Sequence, residues 1–110
     1  YQKEAEVMVG PLVRLTAKQY FVDKIFLGTD GFVKNIGFMG SDSLRTEAIK
    51  NMIDSARNII VLTDSTKFNK MGVIIQFGLA KVVKIITDKN ISKEYYDYFK
   101  DNRISVEIVN

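Results

Sequence analysis

A continuous apolar run in the middle of the chain constrains the fold more than any other feature. The predicted strand Asn58–Thr63 contains Ile59-Ile60-Val61-Leu62 with no polar interruption. Such a run is typical of a strand that is buried on both faces, as in a parallel sheet. A second continuous apolar strand is predicted at Val82–Thr87. Parallel neighbours need crossover connections, which are usually helices, so the run favours an α/β fold.

Amphipathic segments alternate with these apolar runs. The clearest helix is Leu44–Arg57, whose apolar residues recur on one face, and a second helix is predicted over Ser92–Lys100 with Ser92 as its cap. The other predicted elements are a weak strand at Glu6–Val9, a helix at Leu12–Phe21, strands at Lys24–Leu27, Val73–Phe77 and Ile104–Val109, and a loop over Thr29–Asp42. We therefore expect a mostly parallel sheet with helices on both faces.

The amino-acid composition excludes several classes of function. The 110 residues suffice for one domain, and 46% hydrophobic with 26% charged residues is an ordinary globular balance. The chain contains no cysteine and no histidine, which excludes disulfides, thiolate chemistry and His-based triads and disfavours zinc or copper. We expect no metal or cofactor, a cytoplasmic location and no membrane contact. The net charge of +3 is scattered along the chain, so direct DNA binding is disfavoured.

Three polar segments follow predicted strands or enter a helix, where open parallel sheets bind ligands. They are Gly28-Thr29-Asp30-Gly31, the loop Gly37–Thr46 and the turn Asp64-Ser65-Thr66-Lys67. In this fold all three face the same edge of the sheet. Together they could hold a small anionic ligand.

Each segment also has a simpler structural interpretation. Gly40, Ser41 and Asp42 could form an anion pocket with the helix amides, or could be a loop with an ordinary helix cap. The N-cap of the following helix could be Ser43, Ser41 or Asp42. Lys67 could bind a phosphate or lie on a solvated turn.

Two carboxylates and one aromatic cluster also allow both a functional and a structural interpretation. Glu47, expected in the first helical turn, could accept sugar hydroxyls, act as a base or only support the cap. Asp30 could bind hydroxyls or only complete a turn. The aromatic residues Tyr95, Tyr96, Tyr98 and Phe99 fit core packing better than nucleic-acid binding.

The order and spacing of these segments resemble a known family. The stretches "DKIFLGTDGF", "IGFMGSDSLRTEAIKNMIDSARNIIVLTDSTKF", "VVKIITD" and "ISVEIV" are similar to the C-terminal sensor domain of DeoR-family transcription regulators, and "EAEVMVGPLV" is similar to the family's segment before its first long helix here. The most specific part runs from Glu47 to Phe68.

The resemblance implies a fold shared with ribose-5-phosphate isomerase and CoA transferases, and a phosphorylated sugar as effector. It implies that effector binding controls an N-terminal helix-turn-helix, through which alone DNA is bound, and that the regulators assemble as homo-oligomers. The wording "IGFMGSDSLRTE" is closest to repressors of lactose or tagatose phosphate metabolism in Gram-positive bacteria. The family's upstream glycine/threonine phosphate loop and its helix-turn-helix are not found in this sequence. The chain, which begins at Tyr1, is thus expected to be an N-terminally truncated, single partial domain with weakened effector binding.

Carried over by position, the resemblance assigns the aspartate–glycine turn to Asp30 and Gly31, the helix glutamate to Glu47 and the aspartate–serine–lysine turn to Asp64, Ser65 and Lys67. Lys67 is expected to meet the phosphate or a neighbouring hydroxyl, and Asp30, Asp42 and Glu47 the sugar hydroxyls. The full predicted effector-binding set is Thr29, Asp30, Gly31, Gly40, Ser41, Asp42, Glu47, Asp64, Ser65 and Lys67.

Two other functions remain as alternatives. Related enzymes with this fold are sugar-phosphate isomerases, for which Glu47 would be the candidate base. No catalytic residue is expected, because nothing else in the chain completes an enzyme site. The other alternative is a module that only oligomerises.

Overall fold

Two β-sheets organise residues 22–109, which are the residues that this computed structural model describes. The elements are β1 (Val22–Leu27), β2 (Gly31–Val33), β3 (Gly37–Gly40), α1 (Ser43–Asp54), β4 (Ala56–Leu62), a 3₁₀ turn (Ser65–Lys67), β5 (Ile74–Phe77), β6 (Val82–Asp88), α2 (Lys93–Asp101) and β7 (Ser105–Val109). The strand predicted at Glu6–Val9 and the helix predicted at Leu12–Phe21 lie outside the described residues.

The larger sheet is parallel throughout, in the order β1-β4-β6-β7. Its centre is the continuous apolar run of β4, where Ile59 and Val61 are buried, and Ile85 of the neighbouring β6 is buried beside them. This arrangement confirms the predicted α/β fold with a mostly parallel sheet. The strand following the long helix begins at Ala56, two residues before the predicted start, because α1 ends earlier than expected.

A small antiparallel sheet, β2-β3-β5, occupies the region that was predicted to be a loop at Thr29–Asp42. That prediction was wrong: β2 and β3 form a hairpin, closed by a hydrogen bond from Ile36 N–H to Val33 O of 3.1 Å. Asn35 in the turn has φ 67° and Gly37 has φ 126°, both left-handed. These strands are too short to produce a periodic apolar pattern, which explains the error.

Helix α1 begins and ends at identifiable caps. Asp42 is the N-cap, and its carboxylate accepts hydrogen bonds from Leu44 N–H (3.0 Å) and Arg45 N–H (3.5 Å). At the other end the ammonium of Lys81 donates to the carbonyl oxygens of Ile53 (2.7 Å) and Ala56 (3.0 Å). The helix is therefore held at both ends. Of the three rival caps, the structure selects Asp42.

Helix α2 closes the aromatic side of the core. Ser92 caps it as predicted, accepting from Tyr95 N–H at 3.2 Å. Tyr95 and Phe99 are buried, and the rings of Phe32 and Phe99 lie 5.1 Å apart. The core interpretation of these aromatic residues is thus confirmed. Tyr98, rather than Tyr96, completes this packed face.

The hairpin is fastened to α2 by a lysine from its turn. The ammonium of Lys34 lies 2.6 Å from a carboxylate oxygen of Glu94, and 5.0 Å and 5.2 Å from the ring centroids of Tyr95 and Tyr98. The hydrogen bond to Glu94 is the main cause of the raised pKa of Lys34. The cation thus combines an ion pair with two cation–π contacts.

Between Val22 and Val109, neither helix has the length and the apolar composition that crossing a membrane requires.

One buried hydroxyl in the parallel sheet has no partner among the described residues. Thr87 on β6 is 2% exposed, and its Oγ1 forms no hydrogen bond. Because a buried unsatisfied hydroxyl costs about 1–3 kcal/mol, we expect Thr87→Val to raise the free energy of unfolding by about 1 kcal/mol, measured by urea denaturation. Thr63→Val is the control, since the Thr63 hydroxyl donates to Asp64 O at 3.2 Å, and it should not stabilise. A less stable Thr87→Val protein would show that this hydroxyl has a partner.

Candidate functional site

Parallel pairing brings the ends of neighbouring strands to one edge of the larger sheet. The Thr29-Asp30 segment follows β1, the Asp64–Lys67 turn follows β4, and Asp88 ends β6. Since these three strands are adjacent and parallel, their carboxyl ends meet at the same edge. Two of the three predicted polar segments therefore lie at the edge where such sheets bind ligands.

A cavity of about 300 Å³ opens beside the end of β1. Strand β1 and the segment after it, helix α1 and strand β5 form its walls. Its lining residues are Leu27, Gly28, Thr29, Asp30, Arg45, Ile49 and Gln76. The cavity thus combines one carboxylate, one guanidinium, one amide and one hydroxyl with aliphatic side chains, as small-molecule sites commonly do.

The segment after β1 is held by hydrogen bonds to the hairpin. The hydroxyl of Thr29 donates to Gly31 O at 2.8 Å, with Met39 O at 3.2 Å as a second acceptor, and Asp30 N–H donates to Met39 O at 3.1 Å. These bonds fix the backbone of the segment while the side chain of Asp30 stays exposed at the cavity. The hydroxyl of Thr29 is therefore used to position Asp30.

Gln76 is the buried polar residue of the cavity. It is 4% exposed, and its Nε2 donates to the hydroxyl of buried Thr46 at 3.1 Å. Gly40 of β3 makes room for it, since a Cβ at position 40 would collide with the amide of Gln76. The glycine predicted to let the backbone approach a ligand instead packs against a residue that lines the cavity.

Arg45 reaches the cavity from the first turn of α1. Neither Arg45 nor Gln76 was predicted, although each departs from what its local sequence favours. Arg45 places a positive charge in the first helical turn, where the helix dipole disfavours it. Gln76 lies inside the apolar stretch "VIIQF", where burial of a polar amide costs free energy. Both residues break a local preference, which is frequent at functional positions.

The Asp64–Lys67 turn is stabilised by its own polar groups. The carboxylate of Asp64 accepts from the backbone N–H of Thr66 at 3.0 Å and from the Thr66 hydroxyl, and Lys67 Nζ lies 3.7 Å from its second oxygen. The hydrogen bond from the Thr66 hydroxyl is the main cause of the lowered pKa of Asp64. Lys67 therefore has a carboxylate partner within the turn.

Asp88 ties this turn to the neighbouring strand. Its carboxylate accepts from Ser65 N–H at 2.9 Å and from the Ser65 hydroxyl at 2.7 Å. These two bonds, the backbone one first, lower the pKa of Asp88. Ser65 was predicted to meet an effector, and its hydroxyl is engaged by Asp88 in this structure.

The cavity gathers only part of the predicted set. Thr29 and Asp30 line it together, whereas the other predicted residues are not among its lining residues. The first turn of α1 contains no acidic residue, so Glu47 does not lie there as predicted; it is exposed and directly follows that turn. Gly31 is buried, and the carboxylate of Asp42 is engaged in the cap. Within residues 22–109 no acidic cluster is suited to a metal ion.

Fold and cavity together define an α/β domain with a cavity at the edge of its parallel sheet. The sequence model of the DeoR C terminal sensor domain family matches residues 1–89, and the chain belongs to this family. The family consists of sensor domains of transcription regulators, so the chain is a sensor domain and not an enzyme.

Three curated relatives agree with this assignment. The chain is 23% identical over 108 residues to the HTH-type transcriptional regulator IolR of Bacillus subtilis (strain 168), which covers 98% of the chain and 43% of IolR. It is 27% identical over 100 residues to the uncharacterized HTH-type transcriptional regulator YulB of the same strain, covering 91% and 39%. It is 23% identical over 104 residues to the L-fucose operon activator of Haemophilus influenzae (strain ATCC 51907 / DSM 11121 / KW20 / Rd), covering 94% and 42%. The chain thus spans less than half the length of these relatives.

The lowered pKa of Asp88 predicts a pH-dependent loss of stability. Stabilisation by the hydrogen bonds that the Asp88 carboxylate accepts is complete above the ordinary aspartate pKa of about 4, and is lost as the pH falls through the lower pKa of the folded state. We expect Asp88→Asn to unfold at lower urea concentration than the wild type at pH 7, with the difference shrinking below about pH 4.

Ser65→Ala is the matched control, because it keeps the backbone donor and removes only the hydroxyl. It should lose less stability than Asp88→Asn and retain part of the pH dependence. A constant difference between wild type and Asp88→Asn from neutral to acid pH would contradict this assignment.

Proposed function

We propose that this chain is the effector-binding domain of a bacterial transcription repressor of the DeoR type, and that its effector is a sugar phosphate. Effector binding would change operator binding by a helix-turn-helix elsewhere in the longer protein. The observation that carries the proposal is the cavity at the carboxyl edge of the parallel sheet, where Asp30, Arg45 and Gln76 meet.

The chemistry of the lining residues suits a phosphorylated polyol. A carboxylate and an amide bind hydroxyl groups, and a guanidinium binds a phosphate through two parallel hydrogen bonds. The volume of about 300 Å³ lies at the lower end of the range for ligand pockets, which favours a molecule the size of a monosaccharide. Leu27 and Ile49 supply the apolar surface on which a carbon skeleton can pack.

The relatives support the regulatory part of the proposal. Two of them are HTH-type transcriptional regulators, and a third is an activator of an L-fucose operon. By analogy, we propose that the longer protein binds DNA through its own helix-turn-helix in the bacterial cytoplasm and responds to a carbohydrate metabolite. The Asp64–Lys67 turn follows β4, the strand next to β1, and its residues are not among those that line the cavity.

A thermal-shift panel tests the effector proposal. Triose, pentose and hexose phosphates are compared with their unphosphorylated sugars on the 110-residue chain. A ligand at 100 times its Kd stabilises the folded state by about 2.7 kcal/mol, which raises Tm by several degrees in a domain of this size. We expect a phosphorylated sugar to produce such a shift, and Asp30→Asn to reduce it.

Asp101→Asn is the control for this substitution, because Asp101 is an exposed aspartate on α2 and not a lining residue of the cavity. Equal shifts with phosphorylated and unphosphorylated sugars would overturn the proposed effector class. The absence of any shift across the panel would overturn the effector-binding proposal for this chain.

We also propose that the domain self-associates, as the family resemblance implies. Among residues 22–109, β5 is an edge strand of the small sheet, and it carries Ile75, which is 47% exposed. Val73 just before it is 75% exposed, so apolar surface adjoins an edge where another strand can pair. Sedimentation velocity should detect a dimer or larger species at micromolar concentration. A monomer at all concentrations, with or without a sugar phosphate, would contradict self-association.

A further inference from the structure

We propose that Arg45, and not Lys67, binds the phosphate of the effector, while Asp30 and Gln76 bind its hydroxyl groups. This inference rests on the proposed function and names the contacts within that same cavity. It makes positions 45 and 76 the residues that set which small anion the domain accepts.

The two candidate cations differ in their surroundings. Lys67 lies 3.7 Å from the carboxylate of Asp64, and Asp88 adds a second carboxylate to the same turn. Arg45 lines the cavity, and within residues 22–109 it forms no ion pair. The charge of Lys67 is thus partly neutralised by its own turn, whereas that of Arg45 is available to a ligand in the cavity.

The geometry of the side chain also favours arginine. A guanidinium presents a planar fork of N–H donors that matches two oxygens of a phosphate, whereas an ammonium acts as a point charge. Arg45 stands on a helix whose start is capped by Asp42 and whose end is held by Lys81. The backbone of Arg45 is therefore held on a fixed element beside the cavity.

Gln76 supplies a second, independent reason to expect a polar ligand here. Its side chain is buried at the cavity wall, and one amide atom is satisfied by Thr46. The Thr46 hydroxyl thus holds the amide of Gln76 at the cavity wall. A sugar hydroxyl in the cavity can bond to the same amide, because a hydroxyl both donates and accepts.

The exposed carboxylate of Asp30 opposes a second anion near it. The described lining residues carry one positive and one negative charge, Arg45 and Asp30. A ligand that carries its charge at one end and hydroxyls at the other satisfies both, with the phosphate on Arg45 and the hydroxyls on Asp30. A compound with phosphates at both ends would place one of them against Asp30, and the site should reject it.

Isothermal titration calorimetry on four variants tests the assignment. The probes are the sugar phosphate that gives the largest thermal shift, its dephosphorylated sugar, and inorganic phosphate. Arg45→Gln should weaken binding of the sugar phosphate by about 10- to 100-fold, the range expected for hydrogen bonds to a charged group. Arg45→Lys should recover only part of the loss, since it restores the charge without the fork.

Two charge-matched controls accompany these variants. Lys50→Gln removes one positive charge from an exposed position on the same helix, and Lys67→Gln removes the rival cation. Both should bind within about threefold of the wild type, a difference of under 1 kcal/mol. Binding of the dephosphorylated sugar, where measurable, should be insensitive to Arg45→Gln.

The outcomes separate this inference from the proposed function. If Arg45→Gln binds as tightly as Lys50→Gln, or if Lys67→Gln causes the larger loss, the phosphate is not on Arg45 and the inference fails, while effector binding stands. If no sugar phosphate binds the wild type, both fail. A sugar bisphosphate that binds more tightly than the monophosphate would also overturn the proposed orientation.

Discussion

The parallel pairing of β4 with β1 and β6 is the constraint on which the rest of the structure depends. Because β4 is apolar on both faces, it is stable only between two strands and beneath covering elements, and this burial fixes its place at the interior of the sheet. Parallel pairing then brings the ends of three strands to one edge. The polar segments after β1 and β4 become neighbours for that reason alone, although more than thirty residues separate Asp30 from Asp64.

The elements that could be predicted from the sequence are those that bury long, continuous or strongly periodic apolar segments. Strands β4 and β6 and helices α1 and α2 belong to this class, and their positions were found to within a few residues. The hairpin β2–β3 could not be found in this way, because three- and four-residue strands are too short to show a period. Its stability comes from distant contacts, including the aromatic packing of Phe32 and the attachment of Lys34 to α2.

The residues of the candidate site also fall into those that local sequence predicts and those that depend on tertiary packing. Asp30 and Thr29 were found because they directly follow a predicted strand. Arg45 and Gln76 were missed because their place at the cavity depends on how α1 and β5 pack against each other, which no local pattern records. The resemblance to the DeoR family gave the class of domain correctly. It also assigned Ser65 and Asp42 to the effector site, and in this structure their side chains form hydrogen bonds within the fold.

The aspartate–glycine pair at positions 30 and 31 has a consequence for reading sequences of this kind. A Cβ at position 31 would collide with the backbone carbonyl of Lys70, so glycine is required there by the contact of two main chains. A motif of this type therefore has two parts with separate causes. Main-chain packing requires the glycine, whereas the identity of the acidic residue can vary with the ligand that is bound. When sensor domains that respond to different metabolites are aligned, an invariant glycine at this point carries no information about what they sense, and variation in the acidic partner does.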